Sequence, residues 1–156
     1  MHVKRSIASF VILVLASIAL AACGDSGDGA GTAPPAPTVI TKFASLDNTQ
    51  ETTGSNSTAL GGGILGVDTA TGKVRGFTVS SGGVAGTLAH VHTGVRGVAG
   101  PITVPLAGGP DLWYVPDGAP VLAAADITAF QAGNMYFNIH NAAFPGGAIR
   151  GQIDHP

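Results

Sequence analysis

From Val39 onward, apolar and polar residues alternate in short runs rich in Val, Ile, Thr and Phe. Gly- and Pro-rich stretches separate these runs, a pattern typical of a β-sandwich or a β-barrel. Gly72 is free to adopt a positive φ in the hairpin turn Asp68–Lys73. We predict seven strands: Thr41–Leu46, Ala59–Val67, Lys73–Ser80, Thr87–Thr93, Ile102–Leu106, Met135–Asn141 and Ala148–Ile153. The pattern therefore predicts an all-β domain.

One short helical turn is predicted between the last two groups of strands. Asp126 is expected to cap residues Ile127–Gln131, and Gly133 to end the turn. The long loop before this turn contains Trp113 and Tyr114. We expect these two rings to pack over the core, and the alternative is an exposed surface that contacts a partner.

The first 22 residues have the pattern of a secretory signal peptide. Lys4 and Arg5 precede an uncharged, mostly apolar run from Ser6 to Ala22, which ends in small residues before Cys23. A single transmembrane helix is the alternative, because the run approaches the length of roughly 18 residues that a span requires. The small residues favour cleavage. We therefore predict a signal peptide over residues 1–22.

The stretch LAAC, which ends at Cys23, resembles the lipobox of bacterial lipoproteins. That resemblance implies cleavage before Cys23 and lipidation of its thiol, so that the chain is anchored to the cell envelope. Gly24 follows where inner-membrane lipoproteins have aspartate, which implies the outer membrane if the source is Gram-negative. Residues 23–38 are predicted to be a flexible linker, and residues 39–156 a single domain.

Charge and cysteine content exclude several classes of protein. Without Lys4 and Arg5 the chain has five basic against nine acidic residues, a net charge of −4 with neutral histidines. No basic stripe is present, so we expect no nucleic-acid partner. Cys23 is the only cysteine, which excludes a disulfide within the chain.

Three stretches, Ala44–Val74, Ala89–Leu106 and Ala132–Ile153, together resemble the CHRD domain, the module named after chordin. Their distinguishing motifs are AHVHTG, GPITVPL and NMYFNIHNAAFPGGAIRGQ. The resemblance covers residues 42–153. It implies a single antiparallel β-sandwich of immunoglobulin-like or superoxide-dismutase-like type, with no established catalytic role. Ala148 stands where the family usually has a glutamate.

The motif around His90 and His92 raises the question of a metal site. Residues i and i+2 of a strand point to the same face, and His140 lies on the polar face of another predicted strand. If these strands are neighbours, the three imidazoles can converge on copper or zinc. His155 is a further candidate ligand if the C-terminus folds back.

The same residues also have a purely structural interpretation. Asn138, His140 and Arg150 can pin the turn that follows His140, with Glu51 as the ion-pair partner of Arg150. Gln152 completes this structural motif. The sequence leaves both interpretations open.

The function that we predict from sequence is a binding module and not an enzyme. It would be attached to the membrane by its lipid and would contact a protein or a glycan at the cell surface. The alternative is a copper- or zinc-binding envelope protein that uses His90, His92 and His140. The His90-Val91-His92 triplet also resembles the copper-binding strand of copper–zinc superoxide dismutases, but the chain has too few histidines for that activity.

Overall fold

Two antiparallel sheets pack face to face in the computed structural model, which describes residues 38–156. The predicted signal peptide, the lipidation site and all but the last residue of the linker lie outside the described residues. The strands are β1 (Val39–Leu46), β2 (Leu60–Asp68), β3 (Val74–Ser81), β4 (Leu88–Thr93), β5 (Ile102–Pro105), β6 (Ala107–Gly108), β7 (Leu112–Tyr114), β8 (Met135–His140) and β9 (Ile149–Gln152). The predicted all-β sandwich is confirmed.

The three histidines of the predicted metal site, His90, His92 and His140, lie on strands of the smaller sheet. Sheet A has the order β1-β2-β3-β7-β6, and sheet B has the order β5-β4-β8-β9. Strands β6 and β7 are absent from the sequence prediction, which had a loop there. They are two and three residues long, too short to show an alternating pattern.

The turn between β2 and β3 forms as predicted. Gly72 has a φ of 71°, and its N–H donates to the carbonyl of Asp68 at 2.7 Å. The carboxylate of Asp68 accepts hydrogen bonds from the N–H groups of Ala70 and Thr71. This Asx turn holds the two strands in their register.

The core lies between the inner faces of the two sheets. Leu65 from sheet A and Phe137 and Ile139 from sheet B are fully buried there. Trp113 is also buried, so its ring packs in the core as expected, whereas Tyr114 is exposed on the other face of β7. Of the two neighbouring aromatic residues, Trp113 therefore packs over the core as expected, and Tyr114 is exposed as in the alternative.

The helix α1 (Ala124–Gln131) begins earlier than predicted. Ala123 is the residue before its first turn, and Asp126 lies inside that turn instead of capping it. The carboxylate of Asp126 accepts a hydrogen bond from Thr93 of β4. Gly133, with a φ of 74°, follows the helix end as predicted. Within residues 38–156, no helix has the length and apolar character needed to cross a bilayer.

Candidate metal centre

The outer face of sheet B is polar, because strand alternation places its apolar residues on the inner face. Val91 of β4 and Phe137 of β8 point into the core. His90 lies opposite Asn138 in the register of these two strands, and His92 lies opposite Tyr136. This antiparallel pairing confirms that the strands of His90, His92 and His140 are neighbours.

The three predicted histidines come together. One ring nitrogen from each of His90, His92 and His140 forms a cluster in which these atoms lie within 4.8 Å of one another. The closest pair is His90 Nδ1 and His140 Nε2, at 3.1 Å. His92 and His140 are buried, and His90 is half-buried. His90 and His140 are 50 residues apart, so the cluster is a product of the fold.

Backbone carbonyls set the tautomers of two of these rings. His92 Nδ1 lies 2.9 Å from the carbonyl oxygen of Gly100, and His140 Nδ1 lies 2.9 Å from that of Pro145. A carbonyl only accepts, so each Nδ1 carries the proton and each Nε2 carries the lone pair. The lone pair of His140 accepts from His90, whereas His92 Nε2 is buried with no hydrogen-bond partner among the described residues.

The environment keeps the imidazoles neutral. Burial, followed by repulsion from His140 and His92, lowers the pKa of His90 to about 4. Burial also lowers the pKa of His92 and of His140, although each Nδ1–H bond to a carbonyl acts in the opposite direction. Neutral imidazole is the form that binds metal ions.

His92 stacks on Tyr136, and Tyr136 in turn contacts Arg150. The rings of His92 and Tyr136 are nearly parallel, with centroids 4.9 Å apart and an interplanar angle of 8°. The guanidinium group of Arg150 also stacks on Tyr136, with its central carbon 3.5 Å from the centroid of the Tyr136 ring. The Tyr136 hydroxyl accepts a hydrogen bond from the N–H of Gly100, the residue whose carbonyl orients His92.

Arg150 is buried but does not form the predicted ion pair with Glu51. Its guanidinium donates to the carbonyl oxygens of Val95 and Val98 and to Oε1 of Gln152. The ion pairs among the described residues do not include Arg150. The loop between β4 and β5 thus supplies the acceptors that the prediction assigned to a carboxylate.

Gln152 joins the loops that cover this face. Its side-chain amide donates to the carbonyls of Gly94 and Gly133, and its backbone N–H donates to Gln50. Gln152 and Arg150 therefore hold the β4–β5 loop over the polar face of the sheet. These bonds satisfy the polar groups of both side chains, which explains why buried polar residues are tolerated there.

Glu51 and Asn138 come together at Gly147, and Asn138 is the residue opposite His90 in the sheet. A Cβ atom built on Gly147 would lie 2.6 Å from Glu51 Oε1 and 2.7 Å from Asn138 Oδ1. Both oxygens are buried with no hydrogen-bond partner among the described residues. Burial raises the pKa of Glu51 to about 7, although its bond from the Thr52 N–H and the charge of Arg150 act in the opposite direction.

His155 is not brought into the cluster. Its backbone pairs with Phe43 of β1, and its ring Nε2 lies 3.4 Å from Asp154 Oδ1. The C-terminus does fold back, but onto sheet A instead of the polar face of sheet B. The candidate ligand set among the described residues is thus three histidines.

Two parts of the site have no signal in the sequence. The carbonyls of Gly100 and Pro145 orient the rings, and any residue supplies such a carbonyl. Tyr136 shares a strand face with His140, so alternation places it near the site without indicating that it stacks on His92.

The comparisons with known proteins give one match. The CHRD domain family matches residues 43–153, which is most of the chain and all but the outermost residues of the fold. No curated protein and no solved structure matches the chain significantly. Membership of the family supports a binding module. The chain belongs to the CHRD domain family, as its three motifs predict.

Proposed function

We propose that this chain is a lipid-anchored envelope module that binds one copper or zinc ion through His90, His92 and His140. The observation that carries the proposal is His92 Nε2, a buried lone pair with no hydrogen-bond partner among the described residues. Leaving such an acceptor unsatisfied costs about 1–3 kcal/mol. A metal ion at the cluster would use that lone pair.

A purely structural role accounts for only part of the arrangement. His140 has a partner at each ring nitrogen, which is what a structural histidine requires. His92 has one at Nδ1 alone. Metal-binding histidines commonly donate their other N–H to a carbonyl, which fixes the ring and its tautomer. His92 and His140 both have this arrangement.

The distances are compatible with a metal ion. Bonds of about 2.0–2.1 Å in a tetrahedral site place two ligand nitrogens roughly 3.3 Å apart. His90 Nδ1 and His140 Nε2 are separated by 3.1 Å, close to that value. The remaining separations are at most 4.8 Å, so metal binding would require the rings to move closer together. To bind the metal through Nδ1, His90 would adopt the tautomer that carries its proton on Nε2, and the imidazole would stay neutral.

The chemistry of the ligands limits the metal. Three neutral imidazoles suit zinc and copper, whereas calcium and magnesium prefer oxygen ligands. Three protein ligands leave one coordination position for water or for a group from a partner. We propose binding without catalysis, in keeping with the family.

The proposed location rests on the sequence of the first 24 residues. The apolar run before Cys23 and the small residues at its end support export and lipidation. A lipid on Cys23 would keep the domain at the surface of the cell envelope. Intact mass measurement of the protein from membranes of its expression host tests this part, because acylation adds mass at Cys23.

Metal content tests the site. The chain from residue 24 keeps every strand of the described fold, which begins at Val39. This chain is incubated with zinc or copper, excess metal is removed, and bound metal is counted by mass spectrometry. We expect one equivalent in the wild type, and a loss of at least about tenfold in affinity in His92→Ala.

His155→Ala is the matched control, because His155 lies outside the cluster, and this variant should keep its metal. Circular dichroism checks that His92→Ala is folded, and His90→Ala, at a half-buried position, provides a second ligand variant. A wild type that holds no zinc or copper would contradict the proposal. So would retention of one full equivalent in both ligand variants.

A further inference from the structure

The outer face of sheet A carries a continuous row of apolar side chains. Phe43, Ile64, Phe77 and Tyr114 lie directly opposite one another across β1, β2, β3 and β7. Neighbouring strands are about 4.8 Å apart, so the row is roughly 14 Å long. Three of its four members are aromatic, and all four are at least partly exposed.

The apolar surface extends beyond this row. Twelve large apolar side chains are exposed among the described residues, and seven of them belong to this one face. They are Val39, Phe43, Leu60, Phe77, Val79, Leu112 and Tyr114. A soluble domain scatters such residues, whereas a cluster on one face marks a surface that contacts something apolar.

Arg75 and Asp68 are the charged side chains that the strands place on this face. Arg75 lines a shallow groove of ≈ 340 Å³ beside Phe77 and Tyr114, and it forms no ion pair with a described residue. Asp68, at the end of β2, is engaged by the amides of its own turn. The rest of this face carries no carboxylate, although the chain as a whole is acidic.

The chain enters the domain at this face. Val39, the first residue of β1, is exposed on the same side as Phe43. Fifteen residues connect Cys23 to Val39, a distance of at most roughly 50 Å when fully extended. If Cys23 is lipidated, as proposed above, this face is held near a bilayer.

We propose that this face of sheet A, defined by the seven exposed apolar residues and Arg75, docks on an anionic lipid bilayer. Aromatic side chains partition into the interface, and a basic side chain adds attraction to phosphate. A second copy of the chain is a poorer occupant. In a face-to-face pair, only Asp68, which is already held by the amides of its own turn, could receive Arg75.

Tryptophan fluorescence on vesicles tests the orientation. The single cysteine, Cys23, is coupled to a maleimide lipid in the chain from residue 23, which makes the test independent of natural lipidation. Val79→Trp reports on the proposed face, and Ile102→Trp on sheet B serves as the matched control. The vesicles contain brominated phosphatidylcholine with phosphatidylglycerol.

Bromine quenches the fluorescence of a tryptophan that reaches the acyl region. We expect quenching in Val79→Trp at least about fivefold greater than in Ile102→Trp, after the shared signal of buried Trp113 is subtracted. Equal quenching at both positions would overturn the proposal. Metal content is a separate measurement, so failure of docking and failure of the histidine site are distinguishable.

Two kinds of substitution test the chemistry of docking in Val79→Trp. Phe77→Ser should lower the ratio of docked to undocked protein by about tenfold, because it removes a large exposed ring that docking would bury in the bilayer. Arg75→Gln should lower it about fivefold on anionic vesicles and little on neutral ones. Ile102→Ser should have no effect.

Sedimentation of the unlipidated chain tests self-association, and we expect a monomer. A dimer that Phe77→Ser dissociates would overturn the proposal in favour of self-association.

Discussion

The ring of Tyr136 lies flat on the ring of His92, with centroids 4.9 Å apart. The guanidinium of Arg150 also stacks on Tyr136, 3.5 Å from its ring centroid, and the Tyr136 hydroxyl accepts a hydrogen bond from the N–H of Gly100. His92 and the most deeply buried arginine therefore share one support. We expect changes to this support to affect both the proposed metal affinity and the stability.

Replacement of Tyr136 should weaken metal binding without removing a ligand. Tyr136→Leu abolishes the stack on His92 and the bond from Gly100, and we expect a loss of about 10–100-fold in zinc affinity. Tyr136→Phe keeps the stack and should lose less. Competition with a chromophoric chelator measures both. Equal affinities in all three proteins would show that Tyr136 does not orient the ligand.

Arg150 should be important for stability. Arg150→Met leaves the carbonyls of Val95 and Val98 without donors, and we expect the free energy of unfolding to fall by about 3 kcal/mol or more. Arg150→Lys should not restore it, because an ammonium cannot reproduce the planar stack on Tyr136. Urea denaturation measures the change. Arg75→Met, at an exposed arginine, should stay within about 0.5 kcal/mol of the wild type.

Glu51 should make the protein less stable as pH rises. Its carboxyl has a pKa of about 7 in the folded chain against 4.5 in the unfolded chain, because burial disfavours the charged form. Between these values the folded state holds a proton that the unfolded state has released, so its stabilising effect is lost as pH rises towards 7.

The difference between Glu51→Gln and the wild type isolates this effect from the histidines. We expect the variant to gain stability relative to the wild type as pH rises from 4.5 to about 7, as followed by urea denaturation. Asp117→Asn, at an exposed carboxyl, should run parallel to the wild type. A Glu51→Gln curve parallel to the wild type would contradict the raised pKa of Glu51.

The histidine cluster should hold zinc in mildly acidic solution. Burial lowers the pKa of all three imidazoles below 6.5, that of His90 to about 4. Protons therefore compete with the metal only at lower pH than they do for an exposed histidine. We therefore expect half of the zinc to be released only below pH 6.5, measured by dialysis over a series of pH values. Half-release at or above pH 6.5 would contradict this.

Gly147 should be intolerant of a side chain. Its φ is 140°, and a Cβ would contact both Glu51 and Asn138 at less than 2.8 Å. Gly147→Ala should therefore lower the free energy of unfolding by about 2 kcal/mol or more, measured by urea denaturation. Gly97→Ala is the matched control, because Gly97 also has a positive φ but open space around it. Equal losses in the two variants would assign the whole effect to backbone strain.

Much of the fold could be predicted from alternation alone. A residue's face on a strand depends only on its position in the run, so His90 and His92 were placed on one face before any pairing was known. The seven predicted strands all exist, with shifts of a few residues at their ends. Strands β6 and β7 were missed, because such short segments are defined by their partners and not by their own pattern.

The sequence by itself determined the family, the two faces of each strand and the three histidines that form the cluster. Only the tertiary structure decided that β4 pairs with β8, that Arg150 bonds to loop carbonyls instead of Glu51, and that His155 packs elsewhere. These outcomes depend on which distant backbone groups come within hydrogen-bond distance. Every residue supplies the same backbone carbonyl, so side-chain patterns carry no signal for the carbonyls of Gly100 and Pro145 that orient His92 and His140.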